Sequence, residues 1–522
     1  MASPAAHSVP NSGDPRIDGL VQGGSWQFTR EPLLTYSFNY TGFETTQWTA
    51  DGKAAVAEAL AAWSSVANIQ FQEVASGYYS WDSTADIAFG LTGYYQQTNV
   101  GSAGAAVFPD PSVGDLIIAE LGFTRSSYPK PEGDVFLDEA YPGFAYVQPG
   151  GYGFAVGLHE IGHALGLKHP HDDGLNGRPT FEELGIAAYD DGYWTVMSYN
   201  DPPSPSFAYG YQATPMPLDI LAIQHIYGAN TSYHTGDDVY QLYDDGIVKT
   251  IWDAGGSDTL SAASLAFGVS LDLREGAFIE HGFKGSTTAI AFGTVIENAI
   301  GSAYADSLTG NDSANVFDGG GGADLITGLG GIDYALYVGN RVQYSVSHAD
   351  ASYMVIDNLG AAGMDSLDSI ERLQFADRNI ALDINGANSA GGIYRLYQAA
   401  FDRTPDLGGL GYWIDRADHG HSAVAMAIDF TWSAEFQQLF QTTTQGNYGE
   451  GADIPSLVDG FYQHVLHRTP DQGGLDFYTA TIVDHDKTVG QVLAEISDSP
   501  ENYAQVTGQI QDGIDYDPWL SG

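Results

Sequence analysis

The sequence predicts a multidomain protein with an α/β lobe first, a region of short strands next and an all-α region last. Its 522 residues exceed what one compact core normally holds, so two to four domains are expected. Glycine punctuates short strand-like runs from about Gly236 to Asp383, and Ala, Leu, Tyr and Gln become prominent from Ile393. We therefore expect an N-terminal arm, which is either mobile or a leftover pro-segment, and three domains, with the boundaries 1–20, 21–235, 236–387 and 388–522.

The first lobe shows the order strand, helix, strand, strand, which is typical of an α/β domain with a twisted sheet. The alanine-rich run from Ala54 to Trp63 indicates a helix that is started by Thr49 or Asp51. The predicted strands are 35–38, 69–74 and 85–89, and the further helices of this lobe are 154–167 and 218–226.

The composition excludes several classes of protein. Acidic side chains number 66 and basic ones 18, and the resulting charge of −48 repels nucleic acid and anionic membranes. Such a chain also repels itself, so multivalent cations are the first partners to expect. A hydrophobic content of 43% excludes wholesale disorder, and no run reaches the ~18 apolar residues of a membrane span. Cysteine is absent, so His, Asp, Glu, Tyr or backbone oxygens must hold any metal.

The segment HEIGHALGLKH has the residue types and the spacing of a zinc site. His159 and His163 are four residues apart, so their imidazoles project from one helix face and can bind one Zn²⁺. Gly166 can adopt the positive φ that lets the chain leave the helix sharply, and His169 can then turn back as the third ligand. Glu160 can reach a zinc-bound water as general base without being a ligand itself.

This extended HExxHxxGxxH pattern resembles that of the metzincin zinc endopeptidases, and Met197 in TVMSY matches their Met-turn in its serralysin form. The resemblance covers roughly residues 20–385 and implies a metzincin catalytic lobe, with Met197 as an apolar floor beneath the zinc ligands. It implies that Tyr199 is an additional, displaceable zinc ligand that can hydrogen-bond the oxyanion. It also implies that residues 85–89 form the edge strand against which a substrate peptide pairs. We expect His171, Asp172 and Asp173 to be solvated rather than to form a second metal site.

Two nonapeptides that begin at Gly319 and Gly328 fit the GGxGxDxUx repeat of repeats-in-toxin proteins. Each repeat offers carbonyl and carboxylate oxygens to Ca²⁺ and turns an apolar residue into a parallel β-roll. The units at Gly301 and Gly310 are degenerate, so we expect a short roll with fewer ions than a typical serralysin. Earlier positions around Asp253 resemble serralysin calcium positions. The predicted calcium ligands are Gly236, Asp238, Asp253, Gly255, Gly256, Asp258, Glu297, Asp306, Asn315, Gly319, Gly322, Asp324, Gly328, Gly331 and Asp333.

The predicted calcium sites suggest that folding is tied to export, because extracellular calcium would close an acidic roll that repels itself. The N-terminus has no basic region followed by an apolar one, so we expect no cleavable leader. The resemblance implies secretion from a bacterium by a leaderless type I route. The last residues, DYDPWLSG, lack the usual acidic residue followed by a terminal apolar tripeptide, which leaves the route open.

The C-terminal region contains a duplicated unit in which Arg403 and Arg468 open the same RTPD motif, 65 residues apart. Pro and Asp-x-Gly-Gly in the connection predict helix, turn, helix units. The unit resembles an uncharacterised repeat domain of bacterial secreted and surface proteins. It could tether the protein to a matrix or substrate, or cap the open end of the roll. We expect both arginines to form internal salt bridges.

Together these observations predict a secreted, monomeric, calcium-dependent zinc endopeptidase with Zn²⁺ and Ca²⁺ as cofactors and with protein or peptide substrates. A proteinaceous inhibitor is a partner to test for, whereas nucleic acid and membrane insertion are not expected. The alternative is a calcium-binding surface or adhesion protein whose protease lobe is inactive. The intact Glu160 argues against it, because decayed metalloproteases commonly lose this base.

Overall fold

The computed structural model describes nine stretches of the chain, which are residues 2–40, 47–75, 77–93, 103–173, 177–200, 209–349, 352–360, 363–442 and 446–519. The chain divides into two compact units. The first comprises residues 1–265 and 269–296, and the second comprises residues 266–268 and 297–522. None of the helices in these stretches combines the length and the apolar character needed to cross a membrane.

The N-terminal part of the first unit is an α/β lobe. Its strands are β1 (Ala2–Ala5), β2 (Ser25–Phe28), β3 (Leu33–Tyr40), β4 (Gln70–Glu73), β5 (Ile87–Thr92), β6 (Gly104–Ala106) and β7 (Val135–Asp138). Its helices are α1 (Pro15–Asp18), α2 (Ala50–Val66), α3 (Pro111–Glu120), α4 (Tyr152–Leu165) and α5 (Pro217–Tyr227).

A five-stranded sheet in the order β4, β3, β5, β7, β6 forms the centre of this lobe. Only β6 runs antiparallel to its neighbour. The predicted strands 35–38 and 69–74 are confirmed as β3 and β4. The predicted helix 54–63 is confirmed within α2, which begins after Thr49 because the Thr49 hydroxyl accepts a hydrogen bond from Gly52 N at 3.0 Å.

The edge strand was predicted wrongly. Residues 85–89 contribute to β5, which lies between β3 and β7 and is buried along most of its length. Strand β5 pairs with β3 on one side and with β7 on the other, so it cannot offer a free edge, and its apolar run IAFGL is typical of such a buried central strand. At the end of the sheet that contacts α4, the last strand within the described residues is β6, a short Gly-Ala-Ala segment.

The core of the lobe lies between the sheet and the helices α2 and α4. Helix α4 buries Phe154, Leu158, Ile161 and Leu165, and the indole of Trp63 on α2 donates to Leu158 O at 3.2 Å. Each large apolar side chain buried in this way contributes roughly 1.5–3 kcal/mol to folding. This core fixes the helix that carries the first two histidines of the zinc motif.

The predicted mobile arm is paired and packed rather than free. Strand β1 pairs antiparallel with β2, and Val21 forms an isolated bridge with Leu167. The side chains of Val9, Ile17 and Leu20 are buried. The apolar residues are too widely spaced to form a periodic pattern, so the sequence does not reveal their common burial.

The rest of the first unit consists of short strands, which are β8 (Val239–Gln241), β9 (Val248–Ile251), β10 (Thr259–Ser261), β11 (Ser270–Asp272), β12 (Phe278–Glu280) and β13 (Thr287–Ile290). Strand β8 pairs parallel with β10. Strand β13 pairs antiparallel with β12 and parallel with β9.

The second unit begins with further short strands and ends with helices. The strands are β14 (Asn298–Ile300), β15 (Ser307–Thr309), β16 (Val316–Asp318), β17 (Leu325–Thr327), β18 (Tyr334–Leu336), β19 (Tyr344–Ala349), β20 (Ser352–Asp357), β21 (Met364–Asp368), β22 (Arg372–Gln374), β23 (Asn379–Ala381) and β24 (Ile514–Tyr516). The helices are α6 (Ala390–Phe401), α7 (Leu407–Asp418), α8 (Ala423–Thr431), α9 (Ala434–Leu439), α10 (Ile454–Leu466), α11 (Gln472–Val483), α12 (Val489–Ser497) and α13 (Pro500–Ile510).

Successive strands of the glycine-rich repeat alternate between two parallel ladders. One ladder runs β14, β16, β18 and the other includes β15 and β17, with paired residues 18 apart, as in Asn298 and Val316. Two nonapeptides therefore separate each strand from its partner. The central apolar residue of each strand, such as Leu308, Phe317 or Ile326, is buried.

The C-terminal region is helical as predicted except for its end. Strand β24 returns and pairs antiparallel with β23, because Ile514 and Tyr516 bury their side chains there. The predicted internal salt bridges are confirmed. Arg403 Nε donates to Glu435 Oε1 at 2.7 Å, and Arg468 Nε donates to Glu501 Oε1 at the same distance. The two RTPD motifs thus join equivalent helices in each repeat.

Candidate metal centre

Helix α4 ends where the zinc motif requires a change of direction. Gly166 has a φ of 108°, and its N–H closes the helix by donating to Gly162 O and His163 O. A Cβ atom at this position would lie 2.6 Å from Gly24 O, so both the conformation and the space require glycine. The predicted sharp exit is confirmed, and it carries the chain back toward the helix face.

The three histidines of the motif converge. His169 Nε2 lies 3.1 Å from His159 Nε2 and 2.9 Å from His163 Nε2. In a tetrahedral zinc site with Zn–N bonds of about 2.0–2.1 Å, two nitrogen ligands lie about 3.4 Å apart. The spacing of the three nitrogens therefore suits one such ion.

The other ring nitrogens show why these contacts are not hydrogen bonds. Each Nδ1 faces an oxygen that can only accept, so each Nδ1 carries the hydrogen and each Nε2 presents a lone pair. The accepting oxygens are Val196 O at 2.7 Å, Leu167 O at 2.8 Å and a carboxylate oxygen of Asp172. Three lone pairs that face one another without a donor fit a shared cation.

The protonation state agrees with this arrangement. Burial and the neighbouring His169 lower the pKa of His159 to about 3. Burial and the two other imidazoles lower the pKa of His163 well below its ordinary value. Both rings are therefore neutral at pH 7, as metal ligands must be.

Glu160 follows His159 in the chain and is not part of the group of three histidines whose nitrogens converge. It is 5% exposed, and its Oε2 accepts no hydrogen bond from the part of the chain that the structure describes. Burial raises the pKa of Glu160 to about 8. Gly104 on the edge strand β6 lies so close that a Cβ there would be 2.7 Å from Glu160 Oε1. The carboxyl thus faces the space between α4 and β6.

Met197 is fully buried, and its sulfur packs against α4 at Gly162, one residue before the second histidine of the motif. The turn that carries it is held by Asp219, a residue that the sequence analysis missed. The carboxylate of Asp219 accepts hydrogen bonds from Thr195 Oγ1 at 2.5 Å, Val196 N at 2.7 Å and Met216 N at 2.8 Å. Asp219 therefore fixes the turn whose Val196 O orients the first imidazole. An acidic residue in the first turn of a helix after Pro is its only sequence signal.

Tyr199 follows this turn and flanks the histidines. Its ring centroid lies 4.4 Å from that of His169 and 5.7 Å from that of His159. Its side chain is 67% exposed, so the ring rests on the cluster with most of its surface open. The structure thus places the residue beside the three predicted ligands.

In the loop after the third ligand His171 and Asp173 are exposed, as expected, whereas Asp172 is partly buried against the third histidine. Asp172 accepts the hydrogen bond of His169 Nδ1 and thereby orients the ring. The ring of His171 stacks on His169 with centroids 5.1 Å apart and planes 3° apart. Ligand atoms of His169, His171 and Asp172 lie within 4.8 Å of one another, but His169 Nε2 already faces the two other histidines of the motif.

A cleft of about 500 Å³ opens beside the cluster. Apolar and aromatic side chains form most of its wall, and His159, Glu160 and Tyr199 form its polar end. The other lining residues are Ala103, Gly104, Tyr141, Tyr152, Ala155, Val156, Val196, Ser198, Asn200, Tyr211 and Gln212. Such a cleft can hold a peptide beside the histidines.

The predicted calcium positions of the first unit share one corner. Asp253 and Asp258 are 2% and 0% exposed. Asp258 Oδ1 accepts from Asp238 N at 2.8 Å, and Asp253 Oδ1 accepts from Gly255 N at the same distance. A Cβ at Gly256 would lie 2.1 Å from Gly236 O, so these two residues also meet there. His234, which was not predicted, has its Nδ1 3.0 Å from Asp238 Oδ2.

The predicted positions of the second unit repeat along the parallel ladders. Asp306, Asn315, Asp324 and Asp333 each precede a strand and are at most 5% exposed. Asp306 N donates to Asp324 Oδ1 at 2.9 Å, and Asn315 N donates to Asp333 Oδ1 at 2.7 Å. Burial raises the pKa of Asp324 and that of Asp333 to about 7. Burial makes ionisation of these carboxyls unfavourable, and a nearby cation would make it favourable again. The two side chains therefore suit a cation site.

The remaining predicted positions lie in the turns between these strands. Gly322 and Gly331 have φ values of 121° and 111°. Glu297 enters through its backbone, since its carbonyl oxygen accepts from the Asn315 side chain at 3.1 Å. A Cβ at Gly319 would lie 2.4 Å from Asp324 Oδ2, and one at Gly328 would lie 2.3 Å from Asp333 Oδ2.

Comparison with known families found matches along most of the chain. Residues 25–183 match Matrixin, a peptidase M10 family, and residues 218–404 match the peptidase M10 serralysin C terminal. Residues 387–440 and 442–506 each match a domain of unknown function, DUF4214, which reproduces the duplication.

Curated relatives show the same similarity. Serralysin of Proteus mirabilis is 33% identical over 277 residues, which is 49% of this chain and 53% of that protein. Metallopeptidase AprA of Pseudomonas marginalis is 32% identical, over 54% of this chain and 61% of its own length. Serralysin G of Dickeya chrysanthemi is 32% identical, over 57% and 63%. The chain thus spans between about half and two thirds of the length of these relatives.

Proposed function

Because the chain carries a matrixin peptidase domain followed by a serralysin C-terminal domain, and so belongs to the serralysin-type metzincins, we propose that it is a calcium-dependent zinc endopeptidase. One observation carries this proposal. Three imidazoles bring their Nε2 atoms to one point, and a buried carboxyl lies beside them, one oxygen of which has no hydrogen bond within the described residues. His159, His163 and His169 would hold the zinc.

Bound zinc supplies Lewis-acid polarisation of the scissile carbonyl and activation of water. Glu160 is the proton carrier, since this residue lines the cleft next to His159 and its carboxyl can take a proton from the attacking water and return it to the leaving amine. Tyr199 would occupy the additional ligand position at rest and then donate its O–H to the developing oxyanion. Its large exposed fraction leaves it room for this movement.

The substrate would be an extended segment of a protein or peptide. Strand β6 is the free edge of the sheet, and Gly104 on it lies against Glu160. A peptide that pairs with β6 through backbone hydrogen bonds would bring its carbonyl to the histidines. Since backbone pairing is independent of side chains, we expect a loose sequence preference.

The calcium part of the proposal concerns the glycine-rich strands. We propose that the two ladders form a parallel β-roll and that the buried carboxyls of Asp324 and Asp333 bind Ca²⁺ together with neighbouring backbone oxygens. Glu297, Asp306 and Asn315 would belong to the same series. The corner around Asp253, with the five other predicted positions of the first unit, would bind calcium separately.

Location and assembly follow as further parts of the proposal. We expect the acidic roll to close at the ~10⁻⁴–10⁻³ M calcium affinities of extracellular modules, so the protein would act outside the cell. It would leave a bacterium by a leaderless type I route. We propose that the protein acts as a monomer and that a proteinaceous inhibitor is a partner. The domains would be the arm 1–20, the peptidase 21–235, the calcium-binding roll 236–387 and the helical pair 388–522.

The test is casein cleavage by the full chain loaded with zinc and calcium, compared with the variant Glu160→Gln. We expect the variant to keep its zinc and to lose about 10²–10⁴-fold in rate, because a general base contributes that much. Glu182→Gln, which changes an exposed carboxylate of the same lobe, is the matched control and should retain full activity. Equal rates for parent and Glu160→Gln would reject the assignment. A zinc-loaded parent without activity would favour the inactive surface protein.

A further inference from the structure

Lys168 lies between Leu167 and the third histidine, and its side chain is completely buried. Its Nζ donates to His169 O at 3.1 Å and to Asp172 O at 2.6 Å. Within the described stretches, no carboxylate oxygen lies within the 4.0 Å of an ion pair with this amine. The buried amine is therefore held by backbone carbonyls.

A lysine in such a place needs an explanation. Moving an ammonium group out of water is expensive, and an apolar side chain of similar length would fill the same space without this penalty. The contacts of Nζ show what the amine achieves. It joins the two ends of the short loop between residues 169 and 172. One end carries the third imidazole, and the other carries the carboxylate that accepts the hydrogen bond of that imidazole.

Two separate links connect the ends of this loop. His169 and Asp172 are joined through their carbonyls by Lys168 Nζ, and they are joined a second time by the Asp172 carboxylate on His169 Nδ1. The amine thus fixes the separation of the two residues, and the carboxylate fixes the rotation of the ring. Loss of the amine would free the Asp172 backbone and, with it, the orientation of the His169 lone pair.

The N-terminal segment covers this arrangement. Lys168 N donates to Leu20 O at 2.7 Å, and Gln22 N donates to Gly166 O at 2.9 Å, on either side of the bridge between Val21 and Leu167. These backbone contacts fix the chain on both sides of Leu167 and hold the backbone of Lys168 in place.

We propose that Lys168 is a positioning residue for the third metal ligand, with its buried amine holding the loop that aims His169 at the zinc. The inference rests on the proposed function, because it presumes that the three histidines bind zinc. It assigns to this chain a zinc-site residue that neither the HExxHxxGxxH spacing nor the ligand set contains.

The first test measures zinc affinity rather than activity. The full chain in calcium buffer is titrated with zinc against a zinc-selective chelating dye, for the parent and for Lys168→Met. We expect Lys168→Met to bind zinc about 10–100-fold more weakly, the range found when a partner of a metal ligand is removed. Lys168→Met with an affinity within twofold of the parent would overturn the inference.

Lys130→Met is the matched control, because Lys130 Nζ also donates to two backbone carbonyls, Thr84 O at 2.9 Å and Ala85 O at 3.5 Å. Lys130 is half exposed and does not touch the histidine loop. We expect its zinc affinity to equal that of the parent. A loss in both variants would show a general effect of removing lysine–carbonyl contacts and would also overturn the inference.

The second test uses the unaltered protein, so it does not depend on the folding of a variant. Acetylation of lysines is followed by mass spectrometry with and without zinc, and the exposed Lys284 serves as reference. We expect Lys168 to react slowly when zinc is bound and several-fold faster after zinc is removed, because the loop loosens. Reaction at the rate of Lys284 in the zinc-loaded protein, or no change upon zinc removal, would contradict the proposal.

The outcomes separate the two proposals. A parent chain that binds no zinc would refute the proposed function. A parent that binds zinc through its histidines, together with a Lys168→Met variant of equal affinity, would refute only the role of Lys168.

Discussion

Replacement of Gly166 by alanine tests how the metal centre is built from the fold. The residue has a φ of 108°, and an added Cβ would lie 2.6 Å from Gly24 O. A left-handed conformation costs a residue with a side chain about 1–2 kcal/mol, and forcing a methyl group against buried backbone costs about 1–3 kcal/mol. We therefore expect Gly166→Ala to lower the free energy of unfolding by about 3 kcal/mol.

Gly157 on the same helix provides the matched control. An added Cβ there meets no atom within 4 Å, and the residue lies within regular helix. Alanine favours a helix over glycine by up to about 1 kcal/mol, so Gly157→Ala should be neutral or slightly stabilising. The two variants add the same methyl group at positions nine residues apart, and they differ in backbone conformation and in the space around the added group.

The assay is thermal unfolding of the full chain in calcium buffer, with attention to the transition that moves when zinc is added. For a domain of this size, about 3 kcal/mol corresponds to a Tm lower by about 6–12 °C. Zinc affinity should fall with it, because Gly166 sets the path to His169. A Gly166→Ala variant with the Tm and zinc affinity of the parent would refute the reasoning.

Three further predictions concern other parts of the chain. Asp172→Asn should weaken zinc binding about tenfold in a dye competition assay while the calcium-dependent Tm is unchanged, because only the partner of the third imidazole is altered; an unchanged affinity would contradict its role. Burial raises the pKa values of Asp324 and Asp333 to about 7, above the 3.8 of the unfolded chain, so without calcium the folded state binds more protons. In chelator the Tm should therefore fall as pH rises from about 4 to about 7, and saturating calcium should remove that fall. If Asp324→Asn and Asp333→Asn left the pH dependence of the Tm unaltered, this explanation would be wrong. Arg372→Met should destabilise the second unit by about 3–5 kcal/mol in denaturant titration, because the buried guanidinium binds two carboxylates that would lose their partner; a loss below 1 kcal/mol would contradict this.

The zinc motif was readable because its geometry is local. The spacing of His159 and His163 follows from the helix repeat, and Gly166 announces the turn that brings in His169. The start of α2 at Thr49 was readable for the same reason, since a cap acts within three residues. In each case the physical cause lies within one turn of chain.

The supporting residues were missed because their partners are distant or their chemistry is unexpected. Asp219 holds a turn that lies more than 20 residues earlier in the chain. Lys168 reads as an exposed charge, yet it is buried. Asp172 looks like part of a polar loop, and only the returning ring of His169 reveals its role. Such roles depend on tertiary contacts that spacing does not encode.

The edge of the sheet illustrates a further limit. Residues 85–89 and the Gly-Ala-Ala segment of β6 are both short, and the former looks the better strand because it is apolar. Apolar character indicates burial on both faces, whereas an edge strand needs an open side. Strand order is set by pairing across the sheet, so the sequence alone did not identify β6 as the last strand of the sheet.

The central claim is that three imidazoles share one zinc ion. It is tested most directly by anomalous X-ray scattering from crystals of the full chain, recorded on both sides of the zinc absorption edge. The account predicts one peak about 2.0–2.1 Å from the Nε2 atoms of His159, His163 and His169. Rings that turn away from one another, with no anomalous density between them, would contradict it.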